Sequence, residues 1–158
     1  MAQTKSGTFA LQGILDSLSQ ANLERILEII RPEVSLIALN EYGTHFLQKF
    51  IQVYQKSTLG MKLLEHTSTL GIDKHGVVVI KTLIKKRSAK KELRYEILGS
   101  LQNCFEELAF SEYGHYLIEE LFLYFNCYEL QNLLSYLVSN TSRLSLNQYS
   151  SSILRKAI

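Results

Sequence analysis

Apolar residues recur three and four positions apart in five segments of the chain, and these segments align without gaps. The segments read SGTFALQGIL from Ser6, YGTHFLQKFI from Tyr42, HGVVVIKTLI from His75, YGHYLIEELF from Tyr113 and YSSSILRKAI from Tyr149. Their small second residues, 36, 33, 38 and 36 positions apart, are Gly7, Gly43, Gly76, Gly114 and Ser150. A near-constant spacing of this length predicts a repeat protein.

Each segment has the pattern of an amphipathic helix. In the fourth copy the apolar residues fall within one arc at 100° per residue, and they are Leu117, Ile118, Leu121 and Phe122. The opposite arc holds His115, Tyr116, Glu119 and Glu120. Every copy is therefore predicted to be a helix with one buried face and one exposed face.

Capping residues and two further helical patterns complete each repeat. A strong N-cap residue stands two positions before the Tyr or His of the later copies, as Asn40, Asp73, Ser111 and Asn147. Between copies lie a long and a short helical pattern, such as KKELRYEILGSLQN from Lys90 and CFEELAF from Cys104. A three-helix unit of this kind buries its apolar face only against its neighbours, which predicts an all-α solenoid.

The whole chain is predicted to be one repeat array over residues 1–158. The predicted boundaries are 1–32, 33–65, 66–103, 104–139 and 140–158, with a partial repeat at each end. Because the end units are incomplete, we expect Ile153, Leu154 and Ile158 to be poorly covered. End-to-end self-association of the chain is the predicted consequence.

Composition and charge narrow the protein class. No apolar run approaches the ~18 residues of a membrane span, and residues 1–15 lack the order of a signal peptide, so we expect a soluble intracellular protein without membrane partners. Cys104 and Cys127 form no metal motif and are both expected to be buried thiols. The net charge of +2 is uneven: −1 over residues 1–73, +7 over 74–94 and −4 over 95–158. Charge alone fits a nucleic-acid surface and a solvated helix pair equally well.

The exposed faces of the five copies line up in a solenoid, and each contributes three variable residues at the same positions. The first and third residues lie four positions apart on one face of the helix, and the second projects beside them. In this arrangement the first and third side chains can reach the edge of a flat ligand while the second stacks on its face. The triplets are Thr8/Phe9/Gln12, Thr44/His45/Gln48, Val77/Val78/Lys81, His115/Tyr116/Glu119 and Ser151/Ser152/Arg155.

These triplets, and the segment NEYGTHFLQKFI above all, resemble the Pumilio (PUF) repeat along essentially the whole chain. The resemblance implies a right-handed α-solenoid of three-helix, armadillo-like repeats whose concave face binds single-stranded RNA, one base per repeat. It also implies messenger RNA 3′ untranslated regions as targets, protein co-regulators and translation regulation in the cytoplasm. The last copy is similar to a penultimate family repeat, so five copies equivalent to repeats three through seven are expected.

The resemblance also implies a base for most copies. Ser151/Arg155 is cytosine-like, His115/Glu119 guanine-like, and Thr44/Gln48 and Thr8/Gln12 adenine-like. Val77/Val78/Lys81 matches no base, so that copy is expected to contact phosphate through Lys81 or to make no contact. The usual UGU-reading residues are absent from the sequence.

Other functions remain open alternatives. Adjacent Glu119 and Glu120 point about 100° apart and do not form a catalytic pair, and His115 with Glu119 lacks a further metal ligand nearby. No enzyme activity, metal or cofactor is therefore expected. The two alternatives are a protein-interaction scaffold of the HEAT or armadillo kind, and a divergent nucleolar PUF-like protein that binds RNA with little base specificity.

Overall fold

The computed structural model describes residues 5–88 and 91–157, without the side chains of residues 5, 6, 8–10, 87, 91 and 92. Within these ranges the chain forms helices and turns and no strand. The helices are α1 (Lys5–Leu15), α2 (Gln20–Ile30), α3 (Val34–Leu39), α4 (Glu41–Val53), α5 (Thr58–Leu64), α6 (Thr67–Gly71), α7 (Gly76–Arg87), α8 (Lys91–Gln102), α9 (Phe105–Phe110), α10 (His115–Tyr124), α11 (Gln131–Ser139), α12 (Thr141–Ser145) and α13 (Gln148–Ala157), with a 3₁₀ turn at Arg31–Glu33. None of the described helices is long and apolar enough to cross a membrane.

After α1, the helices repeat in threes. Each unit has a first helix, a short helix of five or six residues and a longer third helix that carries the repeated segment. The third helices are α4, α7, α10 and α13, and α1 is of the same kind. These five, which we call the row helices, pack side by side in chain order: α1 on α4, α4 on α7, α7 on α10 and α10 on α13. The core is continuous from Leu15 to Ile153 because each row helix buries its apolar arc against the next unit.

The four predicted N-caps are confirmed. The Oδ1 atom of Asn40 accepts from the amides of Tyr42 and Gly43, both at 3.0 Å. The corresponding atoms of Asp73, Ser111 and Asn147 each accept from the amides two and three residues later. Each cap satisfies donors that have no partner inside the helix, and so fixes where α4, α7, α10 and α13 begin.

Glycine is required as the second residue of three segments by a close approach to the preceding short helix. A Cβ atom built at Gly43 would lie 2.1 Å from the carbonyl oxygen of Ile37. The same construction at Gly76 and Gly114 gives 2.5 Å and 2.7 Å to the carbonyl oxygens six residues earlier. In the last copy Ser150 occupies this position, and its Oγ donates to the equivalent carbonyl, that of Leu144, at 2.7 Å. The last copy thus has a side-chain hydrogen bond where the three preceding copies have a close backbone contact.

One half-buried arginine connects three elements between the third and fourth units. The guanidinium of Arg94 forms a bidentate pair with Glu129, at 2.6 and 2.7 Å. The same group donates to the carbonyls of Ser88 and Tyr124, both at 2.5 Å, and stacks 4.5 Å from the ring centroid of Phe125. Arg94 thus fixes the end of α7, the end of α10 and the start of α11 with respect to one another.

Two sequence-based expectations about burial are wrong. Ile153 was expected to be poorly covered but is fully buried, because α13 packs on α9, α10 and α12 and turns its apolar arc inward. Leu154 is half-buried and Ile158 lies outside the described residues. Cys104 is buried as expected, whereas Cys127 is exposed because it lies in the turn between α10 and α11.

Candidate functional site

The solvent-facing side of the row helices, which we call the row face, brings the predicted triplets of neighbouring copies together. The second residue of the triplets is accessible in four copies: His45 is exposed, Val78 and Tyr116 are 37% and 46% exposed, and Ser152 is half-buried. In the first copy, Phe9 lies on α1 with its side chain outside the described residues, as does Thr8. The second residue of the triplet is therefore accessible to solvent on α4, α7, α10 and α13.

The first residue of the triplets does not lie on the exposed face, contrary to the sequence-based expectation. Thr44, Val77 and His115 are 4%, 4% and 6% exposed, and Ser151 is half-buried. The prediction from helical angle was wrong because it treated each helix alone. The next row helix packs against this side and covers it.

The buried polar members of this set are satisfied by backbone groups. The Oγ1 atom of Thr44 lies 3.0 Å from the carbonyl oxygens of Ala38 and Asn40. The Nδ1 atom of His115 lies 3.0 Å from the Ser111 carbonyl oxygen, and since a carbonyl only accepts, Nδ1 carries the proton. The His115 ring stacks on Tyr149 with centroids 5.5 Å apart and lies 3.9 Å from the Tyr116 centroid. His115 therefore supports Tyr116 from behind.

The third residue of the triplets reaches the row face and is held from the side. Gln48 donates through Nε2 to Oγ1 of Thr82 at 3.2 Å. The ammonium of Lys81 lies 2.9 Å from a carboxylate oxygen of Glu120 and 5.7 Å from the ring centroid of Tyr116. Gln12 is half-buried and Arg155 is exposed at the two ends of the row. Amide, ammonium, carboxylate and guanidinium groups thus follow one another along the row.

Glu119 is the most strongly held of these groups. Ser152 donates to its Oε1 at 2.5 Å, and the ammonium of Lys156 lies 3.0 Å from its Oε2. Burial alone would raise the pKa of Glu119, but the hydrogen bonds from Ser152 and Lys156 outweigh it, so the pKa lies below its ordinary value. The group is consequently a charged acceptor at neutral pH.

The two adjacent carboxylates of α10 do not converge. Glu119 and Glu120 pair with different cations, on α13 and α7, so they do not act on one point. Among the described residues no three His, Cys, Asp or Glu side chains converge as metal ligands do. The arrangement offers flat or apolar surfaces at one helical position and hydrogen-bonding groups one turn later.

Sequence reasoning missed Thr82 and Lys156, each of which follows directly after the third residue of a triplet. The sequence holds a usable signal, since the residues at this position in the later copies are Lys49, Thr82, Glu120 and Lys156, all polar. Their partners on the preceding helix were not predictable, because the pairing depends on the axial offset between row helices. Lys49 shows this: its ammonium pairs with Asp16, in the turn after α1, at 2.6 Å.

Comparison with solved structures identifies the fold. The Puf4 RNA binding domain bound to HO endonuclease RNA 3′ UTR recognition sequence matches with a TM-score of 0.90 and 19% identity, covering 99% of this chain and 49% of that one. PUF-8 in complex with PBE-RNA matches with a TM-score of 0.84 and 19% identity, covering 98% of this chain and 46% of that one. The PUM-HD domain of S. pombe Puf1 in complex with RNA matches with a TM-score of 0.81 and 16% identity, covering 98% of this chain and 43% of that one. The chain spans about half the length of these domains.

The comparisons confirm the predicted all-α solenoid of Pumilio-like repeats and its partial extent. Neither a family model nor a curated protein matches the sequence. The similarity thus lies in the arrangement of helices, which is retained at less than 20% identity.

Proposed function

We propose that this protein binds single-stranded RNA along the row face and selects bases, with one base facing each row helix. The observation that carries the proposal is the shared position of the stacking side chains. His45 and Tyr116 are accessible at the equivalent position of α4 and α10, and each is followed three residues later by a hydrogen-bonding side chain. A flat ring on a rigid helix beside a polar group is what an unpaired base requires.

Stacking supplies the part of the interaction that is common to all bases. Tyr116 is held in place by His115 behind it and by the Lys81 ammonium 5.7 Å from its ring. A ring fixed in this way loses little freedom when a base stacks on it. Val78 of α7 offers an apolar surface without a ring, so this helix contributes less to stacking.

Base selection then falls to the third residues of the triplets. Thr44 and His115 are almost fully buried, so Gln48 and Glu119 carry most of the edge contacts on α4 and α10. Glu119 accepts hydrogen bonds and suits guanine, whose pairing edge donates, and the guanidinium of Arg155 suits cytosine, whose edge accepts. Gln12 and Gln48 offer a donor and an acceptor each and suit adenine.

The biological setting is a further part of the proposal. The Puf4 RNA binding domain, and the similar Puf3 RNA binding domain, are described as bound to RNA 3′ UTR recognition sequences. This supports messenger RNA 3′ untranslated regions as targets and translation regulation, with protein co-regulators, as the outcome. Action in the cytoplasm fits this role. A nucleolar protein that binds RNA with little base selection is the nearest alternative.

A protein-interaction scaffold is the second candidate function. Large apolar side chains are exposed away from the row face, and Tyr128, Val138 and Leu146 are 91%, 77% and 89% exposed. These residues lie on or next to α11 and α12, which are not row helices. A scaffold would use this outer surface and would leave the row face without a ligand.

The test is selection from a random single-stranded RNA pool with a matched DNA pool as control. Base-selective enrichment of RNA supports the proposal, salt-sensitive capture of every sequence supports the nucleolar alternative, and no capture leaves the scaffold. Tyr116→Ala is expected to weaken binding to all selected RNAs by about 1–3 kcal/mol, whereas Tyr116→Phe keeps the ring and stays close to wild type. Glu119→Gln is expected to change the preferred base at one position and to leave affinity nearly unchanged.

A further inference from the structure

Neighbouring row helices are joined by polar pairs in the same register at three successive interfaces. In each pair, the third residue of one triplet contacts the residue that follows the third position in the next copy. The pairs are Gln48 with Thr82, Lys81 with Glu120, and Glu119 with Lys156. The following residue therefore touches the group that meets the base in the proposed function.

The pair between α4 and α7 fixes the orientation of an amide. The Thr82 hydroxyl donates to the carbonyl of Val78 at 2.9 Å, so toward Gln48 its oxygen acts as an acceptor. It accepts from Nε2 of Gln48 at 3.2 Å. One of the two N–H groups of Gln48 is thus engaged, and Oε1 with the second N–H is left for a ligand. Without the hydroxyl, the amide is free to turn and to present either end.

The pair between α10 and α13 sets the strength of an acceptor. The carboxylate of Glu119 receives the Lys156 ammonium on Oε2 and the Ser152 hydroxyl on Oε1. Only 13% of this side chain is exposed, so a base that reaches it shares oxygen atoms that already accept hydrogen bonds. The Lys156 cation also reduces the negative charge that a donating base edge meets.

We propose that Thr82 and Lys156 are specificity-determining residues. Gln48 and Glu119 make the main contacts with the bases, and Thr82 and Lys156 set which hydrogen-bonding groups these two side chains offer. This inference rests on the proposed function, because it assigns the selectivity of the same RNA-binding surface. It extends the recognition position from one helix to a pair of neighbouring helices. The base that faces α4 is then chosen by residues of α4 and α7 together, and the base that faces α10 by residues of α10 and α13.

The first arm of the test removes the cation beside Glu119. Lys156→Met is expected to raise the enrichment of guanine over adenine at one position by about three- to tenfold, the effect of one charge-assisted hydrogen bond. Lys156→Arg keeps a cation and is expected to retain the wild-type ratio. Lys85→Met is the matched control, because Lys85 is exposed on α7 and the loss of charge is the same. This control variant is expected to weaken binding to all RNAs alike and to leave the base ratios unchanged.

The second arm removes the hydroxyl beside Gln48. Thr82→Val keeps the shape of the side chain and is expected to relax the base preference at a different position by about three- to tenfold. Thr82→Ser restores the hydroxyl and is expected to restore the preference. Thermal unfolding of each variant shows whether the fold is kept, and base ratios within one pool are unaffected by a uniform change in affinity.

The outcomes separate the inference from the proposed function. Wild-type protein that selects no RNA sequence overturns both. Wild-type selection with unchanged base ratios in Lys156→Met and Thr82→Val overturns the inference alone, and these pairs then only hold the helices together. A change of ratio at one position in each variant, reversed by Lys156→Arg and Thr82→Ser, supports the inference.

Discussion

At individual positions, the geometry of this array depends on a few side chains that sequence periodicity does not distinguish. Gly43 and Gly99 both lie within helices, but only Gly43 faces the backbone of another helix. Cys104 and Cys127 have similar apolar neighbours in the sequence, but only Cys104 lies in the core. The difference in each case comes from what packs against the position.

Gly43→Ala is expected to destabilise the protein, whereas Gly99→Ala is expected to stabilise it. A Cβ atom at Gly43 meets the Ile37 carbonyl oxygen at 2.1 Å, and the shift this forces costs about 1–3 kcal/mol. A Cβ atom at Gly99 meets nothing within 4 Å, so the gain in helix propensity of about 0.5–1 kcal/mol remains. Urea unfolding of the two variants measures both effects. Equal changes in the free energy of unfolding would contradict the close approach.

The two thiols are expected to react with a disulfide reagent at very different rates. Burial, with a smaller effect of Glu107, raises the pKa of Cys104 to about 11, so at pH 8 almost none of it is the reactive thiolate. Cys127 is exposed. Native protein should therefore release one equivalent of chromophore quickly and a second only on unfolding. Cys127→Ser should abolish the fast phase, and a fast phase that persists in this variant would show that Cys104 is accessible.

Between helices, the sequence predicts contacts along one helix well and contacts across helices poorly. The four N-caps and the amphipathic arcs were predictable because both are set by residues close together in the chain. The burial of Thr44, Val77 and His115 was not, since it depends on the adjacent row helix. The pairs that Thr82 and Lys156 form were missed for the same reason.

Arg94→Met is expected to cost much more stability than Arg143→Met. Each arginine pairs with a glutamate and stacks on a phenylalanine ring. The Arg94 and Glu129 side chains are only 19% and 16% exposed, against 62% and 57% for Arg143 and Glu106. Arg94→Met removes four hydrogen bonds and the cation beside the part-buried Glu129 carboxylate. We therefore expect a cost of about 2–4 kcal/mol for Arg94→Met and under about 1 kcal/mol for Arg143→Met.

Urea unfolding with the same protein preparation compares the two arginine variants. Arg94→Lys keeps the charge but cannot form the bidentate pair, so its free energy of unfolding should fall between the wild type and Arg94→Met. Equal losses for Arg94→Met and Arg143→Met would mean that the connection between α7, α10 and α11 does not depend on this side chain.

Across the array, the row face is largely neutralised by its own ion pairs. Three of its lysines each contact a carboxylate. Lys81 and Lys156 contact those of Glu120 and Glu119 on neighbouring row helices, and Lys49 contacts that of Asp16 in the turn after α1. Of the basic band at residues 74–94, Lys81 pairs with Glu120 on the row face and Arg94 pairs with Glu129, so the row face is less positive than the sequence of this band suggests. Such a surface limits indiscriminate attraction to phosphate and leaves more of the binding to stacking and to base edges.

Glu120→Gln is therefore expected to increase affinity for every single-stranded RNA and to steepen its dependence on salt. The substitution frees the Lys81 ammonium, now 2.9 Å from the carboxylate, for a phosphate group. One added phosphate contact should increase the slope of log affinity against log salt concentration by about 0.7. Base preferences should stay unchanged because Lys81 stands beside Val78, which offers no hydrogen bond to a base edge.

Fluorescence anisotropy titrations at several potassium chloride concentrations measure the slope. Glu96→Gln is the matched control. Glu96 is exposed on α8, which is not a row helix, and its substitution changes the net charge by the same amount. The double variant Glu120→Gln with Lys81→Met should lose the added slope, since it lacks the freed cation. If Glu96→Gln steepens the slope as much as Glu120→Gln does, net charge governs binding and the ion pairs on the row face do not.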